Sequence, residues 1–295
     1  MRYIPAPNVQ DDLIIRSMAN NASLASYPIL RRSLARILAQ YAAYRNANGN
    51  ALARSAPQPL RLSHNLKDAL RSHYTSPPIV LNCLSVIRDK GSPDVCPMCG
   101  SLKTGTLDHI FPKNTFAEFS IYSRNLVPAC DCNSLRGDDY KGARRGERVL
   151  HPYFDVGMNQ RLLRATIKPD AGDFRRPLIG IEVCIKKANP LYPAVSYHLQ
   201  TVVLRTKIIE YLESFWPKLL RFYRDYFRLP AGHFTIDNLN RAIREKLGES
   251  DRRRSTPNNW DSMLLAGLSA NARAKAFVYQ TILDLRAGRM TADAI

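Results

Sequence analysis

The sequence predicts an α+β protein in which a small metal-organised module lies between two mainly helical regions. Apolar residues recur at helical spacing near both ends of the chain. Between residues 91 and 155 that period disappears, and Cys, Asn, Asp, Gly and Pro become frequent. We therefore predict an N-terminal helical region of residues 1–90, a module of residues 91–155, and a C-terminal region of residues 156–295 with short strands and then a helical bundle.

Three helices are expected in the N-terminal region. Leu34 and Ile37 lie on one apolar face of the first helix. Residues 46–59 contain Gly, Asn and Pro at turn-forming positions and are expected to form a loop. A second helix is predicted over about residues 65–74, and a third is predicted to end at Lys90.

The C-terminal region is expected to begin with two strands, residues 162–167 and 178–185, the second of which is partly alternating and rich in β-branched residues. A long apolar stripe at helical spacing follows, and we expect Pro217 to kink or break that helix. A further helix is predicted between an N-cap at Thr235 and a stop at Gly248.

The charge of the chain favours a polyanionic partner. Lys and Arg number 43 against 25 Asp and Glu, which gives a formal net charge of +18 and an isoelectric point near 9.9. Such an excess promotes binding to nucleic acid through release of counterions. An evenly spread basic surface, or a ribosome- or membrane-associated protein, has the same composition, so charge alone leaves these alternatives open.

The first residues argue against export. Asp11 and Asp12 interrupt the apolar core that a secretory signal needs, and no long apolar run appears elsewhere. We therefore expect a cytoplasmic protein with no membrane partner. A reducing compartment disfavours disulfides, so a cluster of cysteines there is more typical of a metal site.

Four of the six cysteines form two close pairs within the module. Cys96 and Cys99 are separated by two residues and followed by glycine, as in a zinc knuckle, and Cys130 and Cys132 follow later. One CxxC motif alone also fits a redox pair, but two pairs favour structural Zn²⁺. Four thiolates fill every position of a tetrahedral ion, so this zinc would be a scaffold and not a catalyst.

Further polar residues accompany the cysteine pairs. Asp108-His109 lies between the two pairs, and Asn125 lies closer to the second. Asn133 directly follows Cys132. In this order the residues resemble the HNH endonuclease superfamily of the ββα-metal, zinc-knuckle type. The resemblance covers residues 96–155.

The resemblance implies a role for each residue. His109 would be the general base that takes a proton from water, because the pKa of imidazole lies near neutral pH. Asp108 and Asn133 would supply oxygen ligands to a catalytic Mg²⁺ or Mn²⁺. Asn125 would brace the hairpin that carries His109 and would not be a ligand.

The chain geometry is compatible with these roles. If residues 104–110 and 125–130 are antiparallel strands and residues 132–142 a helix, Asn133 at the helix start can face Asp108 on the strand. Two features depart from the family pattern. Only one residue separates Cys130 from Cys132, where two are usual, so one of these cysteines could fail to bind zinc. Arg136 stands where the family usually has lysine.

Basic residues beside the predicted site are interpreted as contacts to backbone phosphates. They are Lys113, Arg136, Lys141, Arg144, Arg145 and Arg148. The alternative is a solvated turn in which Asp138, Asp139 and Glu147 compensate the charge. His151 is expected to be structural and not a ligand.

The sequence therefore predicts an endonuclease that hydrolyses phosphodiester bonds, with double-stranded DNA as the expected substrate. Two alternatives remain: a zinc-dependent nucleic-acid-binding protein without activity, and a subunit activated by an ATPase or sensor partner. The tract from Glu118 to Ser123 and the tail from His151 to Asp155 resemble, more loosely, HNH proteins of bacterial anti-phage defence such as the Septu HNH subunit.

Overall fold

The computed structural model describes residues 1–89, 93–229 and 232–291, and it combines helices with two antiparallel two-stranded sheets. The helices are α1 (Asp11–Ala19), α2 (Ile29–Asn46), α3 (His64–Thr75), α4 (Cys83–Asp89), α5 (Cys132–Arg136), α6 (Tyr192–His198), α7 (Ile208–Arg221), α8 (Tyr223–Phe227), α9 (Ile236–Arg253), α10 (Trp260–Ala270) and α11 (Ala272–Arg286). The strands are β1 (Thr106–His109), β2 (Leu126–Ala129), β3 (Leu163–Asp170) and β4 (Asp173–Val183). The predicted mixture of helix and sheet is confirmed.

The chain forms two compact units. Unit 1 contains the described residues of 1–158 together with 187–205, and unit 2 contains 159–186 together with the described residues from 206 onward. The predicted N-terminal helical region and the predicted module therefore both lie in unit 1. The predicted boundary between residues 90 and 91 lies outside the described residues, as does the predicted helix end at Lys90.

The core of unit 1 is aromatic. Tyr41 and Tyr44 on the buried face of α2 contact rings from the segment that connects β1 to β2. Tyr41 stacks on Tyr122 with ring centroids 4.0 Å apart, and Tyr44 lies 5.0 Å from both Phe111 and Phe119. The apolar face predicted for this helix therefore holds the β1–β2 connection in place.

Glu118 is a buried carboxyl group within that connection. Its Oε1 accepts a hydrogen bond from the Leu60 backbone N–H at 3.0 Å, whereas Oε2 has no partner. Burial raises the pKa of Glu118 to about 7. A carboxyl whose pKa is higher in the folded state favours folding while it is protonated, and this stabilisation is lost as the pH rises toward 7.

We therefore expect Glu118 to make unit 1 less stable at pH 8 than at pH 5, by about 2–3 kcal/mol for a shift of this size. Glu118→Gln should remove most of that difference, because the amide stays neutral at both pH values. Urea unfolding followed by circular dichroism at the two pH values measures the effect. The exposed Glu210→Gln serves as control, and equal pH dependence in both variants would exclude the role assigned to Glu118.

In unit 1, α5 is shorter than predicted. The helix begins at Cys132, as expected, but it ends at Arg136 and does not extend to residue 142. Gly137 directly after it has a φ of 62°, a left-handed conformation that interrupts the helical hydrogen bonds and favours glycine. The residues beyond Gly137 therefore turn away from the helix axis.

In unit 2, the β3–β4 hairpin packs against α10 through β3 and against α7 through β4. Gly267 on α10 lies so close to β3 that a Cβ there would collide with the Ala165 carbonyl oxygen. Pro217 does not end α7, which continues to Arg221.

The limits of α9 were predicted correctly at one end. Thr235 is its N-cap, and its side chain forms a capping box with Asn238. The predicted stop at Gly248 is wrong, because α9 continues to Arg253. Glycine inside a helix costs only about 1 kcal/mol, which the packing of the surrounding helix can offset.

Candidate active site

The four clustered cysteines lie around one point in unit 1. Their sulfur atoms are all within 4.8 Å of one another, and all four residues are buried. Cys96 Sγ lies 3.7 Å from Cys132 Sγ, and Cys99 Sγ lies 3.4 Å from Cys130 Sγ. Four sulfurs bound at about 2.3 Å to one tetrahedral zinc stand about 3.8 Å apart. The cluster therefore fits a metal such as zinc, and the short spacing of Cys130 and Cys132 keeps neither residue out of it.

Local backbone bonds shape the two cysteine pairs. Gly100, with a φ of 84°, donates its N–H to the Cys96 carbonyl and closes the first turn. In the second pair, the Cys132 N–H donates to Cys130 Sγ at 3.4 Å. Hydrogen bonds from the thiols of Cys132 and its neighbours lower the pKa of Cys130. A thiolate is the form that binds a metal.

A histidine distant in sequence supports the first pair. His198 Nδ1 accepts a hydrogen bond from the Leu150 N–H at 3.1 Å, so the ring proton lies on Nε2. Nε2 donates to the carbonyl of Met98 at 2.7 Å, between the two cysteines of the knuckle. Burial lowers the pKa of His198 to about 4, so the ring is neutral near pH 7.

Beside the cysteine cluster, a polar cleft of about 210 Å³ collects most of the predicted catalytic residues. Its lining includes Tyr74, Asp108, His109, Lys113, Asn133 and Arg136. These residues come from α3, β1, the connection after β1, and α5. The structure thus brings Asp108, His109 and Asn133 together, as the sequence predicted.

His109 is held in one orientation. Its Nε2 lies 3.0 Å from the Ser120 carbonyl oxygen, which can only accept, so Nε2 carries the proton and Nδ1 is unprotonated. Burial lowers the pKa of His109 to about 4. The imidazole is therefore neutral at pH 7 and has a free nitrogen that can take up a proton.

Tyr74 contributes an aromatic wall that the sequence did not reveal. Its ring packs at 64° against His109 with centroids 4.4 Å apart, and its hydroxyl donates to the Leu107 carbonyl at 2.8 Å. The Lys113 ammonium lies 4.6 Å from the centre of the same ring. Arg71, one turn earlier on α3, donates to the carbonyls of Lys113 and Asn114. No motif marks α3, so only the tertiary contact identifies it.

Asp108 forms a buried ion pair with Arg136. Arg136 Nη2 donates to Asp108 Oδ1 at 2.7 Å, and the two side chains are 1% and 5% exposed. Asp108 Oδ2 is also buried and has no hydrogen-bond partner. Because Arg136 is directed inward, its predicted contact with backbone phosphate is wrong. The short α5 ends at this residue and brings its side chain beneath β1.

Asn133 lies at the start of α5 beside β1. Its amide nitrogen donates to Thr106 Oγ1 at 3.1 Å and faces the Leu107 carbonyl at 3.5 Å. Since that carbonyl can only accept, the amide oxygen lies on the other side, where Ser134 donates to it through its N–H and its hydroxyl. The role of Asn133 as a metal ligand stays a prediction.

Asn125 is fully buried and does not line the cleft. Its Oδ1 accepts from the Phe111 N–H at 2.8 Å and from the Tyr44 hydroxyl at 3.1 Å. Its Nδ2 donates to the carbonyls of Phe111 and Phe119. The two bonds to Phe111 tie both ends of the β1–β2 connection together, the bond to Phe119 holds its middle next to Ser120, and the bond from Tyr44 joins it to α2. The side chain makes the bracing contacts that were predicted for it.

The remaining predicted basic residues lie outside the cleft lining. Lys141, Arg144 and Arg145 are exposed in the turn after α5. Arg148 instead forms a two-pronged ion pair with Asp155 at 2.7 and 2.6 Å, with little of either side chain exposed. Arg148 is thus engaged in holding the turn and is not available as predicted.

His151 is buried, and its hydrogen bonds hold unit 1 together. Its Nε2 lies 2.8 Å from the Tyr44 hydroxyl, and its Nδ1 accepts from the Tyr153 N–H. These contacts agree with the structural role predicted for it.

Among the described residues, no helix has both the length and the apolar character to cross a bilayer.

Comparison with known proteins gives one partial likeness. No family model matches the chain, and no solved structure is significantly similar to it. The chain is 36% identical over 66 residues to Protein ea31 of Escherichia phage lambda. Those residues make up 22% of this chain and 22% of the phage protein, so the chain spans about a fifth of the length of this relative. The likeness brings no activity to this chain.

Proposed function

We propose that the protein is a metal-dependent endonuclease of the HNH type, in which β1, β2 and α5 form a ββα-metal module braced by zinc. One observation carries the proposal. A single cleft is lined by Asp108, His109 and Asn133, and within it Asp108 keeps one buried oxygen without a hydrogen-bond partner. A buried carboxylate oxygen is costly unless a cation or donor satisfies it, so the site suits a bound ion.

His109 is the proposed general base. Its Nδ1 takes a proton from the attacking water, and its Nε2–H remains bound to the Ser120 carbonyl. That hydrogen bond strengthens when the ring becomes positively charged, which stabilises the product of the proton transfer. The low pKa of His109 keeps the ring in the basic form across the physiological range.

Asp108 Oδ2 and the Asn133 amide oxygen would hold Mg²⁺ or Mn²⁺. Such an ion would neutralise negative charge that develops on the scissile phosphate and on the leaving oxygen. Lys113, half-buried in the cleft with its ammonium above Tyr74, is placed to contact the same phosphate. Burial lowers the pKa of Lys113 from its usual value.

The substrate proposed is double-stranded DNA, supported by the net charge of +18 and by the exposed Lys141, Arg144 and Arg145 beside the site. Contacts of this kind position the backbone without reading its sequence. A cytoplasmic role in anti-phage defence, with an ATPase or sensor partner, is part of the same proposal and is supported by the sequence resemblance.

We expect His109→Ala to lower the rate of Mg²⁺- or Mn²⁺-dependent plasmid nicking by about 10²–10⁴-fold, the usual contribution of a general base. The exposed His64→Ala, on α3, is the matched control and should cleave like the wild type. Nicking that survives His109→Ala undiminished would contradict the assigned role.

A zinc-dependent nucleic-acid-binding protein without cleavage activity is the second candidate. The ion pair between Asp108 and Arg136 favours it, because that pair neutralises the carboxylate on which metal binding depends. Binding to DNA without cleavage under either ion, with or without added partner proteins, would establish this second function in place of the first.

A further inference from the structure

Arg136 is fixed beside the candidate divalent site. Its Nη2 donates to Asp108 Oδ1 and to the His109 carbonyl, both at 2.7 Å, and its Nη1 donates to the Asp139 carbonyl at 2.7 Å. Three oxygens thus hold a guanidinium that is almost completely buried. If the guanidinium left this position, the buried Asp108 carboxylate would lose its charge partner, which is costly.

The backbone of Arg136 is held as well. Arg205 Nη1 donates to the Arg136 carbonyl at 2.9 Å, and its Nη2 pairs with Asp139 Oδ2 at 2.6 Å. Asp139 therefore links the two arginines, accepting from Arg136 through its carbonyl and from Arg205 through its carboxylate. The guanidinium of Arg136 is part of the folded framework and is not a mobile surface charge.

The ion pair with Arg136 neutralises the Asp108 carboxylate, whose negative charge would otherwise attract a divalent ion. The Asp, Lys and Arg residues lining the cleft are Asp108, Asp138, Lys113 and Arg136, so their formal charges sum to zero. The Asp138 carboxylate already has a hydrogen-bond partner, because both its oxygens accept from the Asn114 side chain at 3.1 Å. Mg²⁺ sites in proteins usually combine one or two carboxylates with oxygens of a bound phosphate.

We propose that Arg136 is a built-in counter-cation of Asp108, which makes the divalent ion bind together with a nucleic-acid phosphate and only weakly before it. This inference rests on the divalent-ion site of the proposed endonuclease function, and not on cleavage itself. Asp108 Oδ2 offers one oxygen to the ion, and a backbone phosphate supplies the further oxygens and the negative charge that Arg136 has cancelled. The divalent ion therefore occupies the cleft mainly when nucleic acid is bound there.

The test measures Mn²⁺ binding by electron paramagnetic resonance on the full chain with zinc retained, carrying His109→Ala so that DNA stays intact. We expect a short DNA duplex, at saturation, to tighten Mn²⁺ binding by about tenfold or more, after subtraction of Mn²⁺ bound to the duplex alone. By linkage, Mn²⁺ should tighten duplex binding by the same factor, which fluorescence anisotropy measures. Asp108→Asn in the same background should abolish the effect.

Substitutions of Arg136 distinguish the effect of its positive charge on Mn²⁺ binding from its contribution to the folded structure. Arg136→Met should tighten Mn²⁺ binding by the free protein and shrink the duplex effect severalfold. Arg136→Lys keeps the positive charge and should keep the duplex effect, which covers the case in which the methionine variant does not fold. Zinc content and circular dichroism verify folding of each variant.

Equal Mn²⁺ affinity with and without duplex, in a protein whose wild type nicks DNA, would overturn this inference and leave the nuclease function intact. A tenfold coupling without any nicking by the wild type would keep the inference and overturn the nuclease function. Absence of Mn²⁺ binding in both conditions would overturn both.

Discussion

Loss of the metal from the four-cysteine cluster is expected to unfold the module in unit 1. Structural zinc contributes about 10–16 kcal/mol in small zinc-binding peptides, whereas a whole domain is stable by only about 5–15 kcal/mol. An ion bound to the four cysteines would therefore contribute about as much free energy as the net stability of a whole domain. Because Asn133 follows Cys132 directly, the start of α5 loses its position with the metal.

The measurement combines zinc content with hydrogen exchange. We expect one zinc per chain in the wild type, none in Cys132→Ser, and strongly faster amide exchange over residues 106–136 in the variant. Cys83→Ser, a half-buried cysteine outside the cluster, is the matched control and should keep zinc and slow exchange. Both tryptophans, Trp216 and Trp260, lie in unit 2, so their fluorescence reports on that unit separately. Slow exchange in a zinc-free Cys132→Ser protein would refute the prediction.

Asn125→Ala is expected to have the second largest effect, a loss of about 3–5 kcal/mol in the free energy of unfolding of unit 1. The substitution removes four buried hydrogen bonds and leaves the Phe111 N–H and the Phe111 carbonyl without the partners they have in Asn125, whereas the Phe119 carbonyl still accepts from the Tyr122 N–H. Each buried group left unsatisfied costs about 1–3 kcal/mol. The connection that carries Ser120 then loosens, and with it the hydrogen bond that orients His109.

Two further variants sharpen this test. Asn125→Asp has nearly the same shape but places an oxygen where Nδ2 donates to two carbonyls, so it should be destabilised as well. The exposed Asn20→Ala should leave stability unchanged. Chemical denaturation measures stability, and nicking by the surviving folded fraction should also fall. A stable Asn125→Ala protein would show that the connection is held by its aromatic packing alone.

The features predicted well from the sequence are those set by neighbours in the chain. The spacing of Cys96 and Cys99 defines a local turn, and Asp108 with His109 lies on a strand whose partner follows soon after. The apolar face of α2 and the N-cap at Thr235 depend on residues within one or two helical turns. Local geometry of this kind can be derived before any tertiary contact is known.

What the sequence did not reveal depends on which way a side chain turns in three dimensions. Arg136 has the composition of a surface phosphate contact, yet the early end of α5 directs it to Asp108. Tyr74 reaches His109 only because α3 packs across the β1–β2 connection. Gly248 lies inside α9, although glycine is more typical of the end of a helix. The first two cases depend on tertiary contacts, which residue type and spacing do not encode, and the third shows that the preference of glycine for a helix end is weak.

The contact between His198 and the carbonyl of Met98 has a consequence for the order in which the protein is made. All four cysteines have been synthesised once Cys132 is added, but His198 follows about 66 residues later, which takes roughly 3–13 s at 5–20 residues per second. A nascent chain that captures zinc early therefore holds it in a knuckle with one support missing. Residues 187–205, which follow the first segment of unit 2, must therefore be synthesised before the cysteine cluster acquires the hydrogen bond from His198 to Met98.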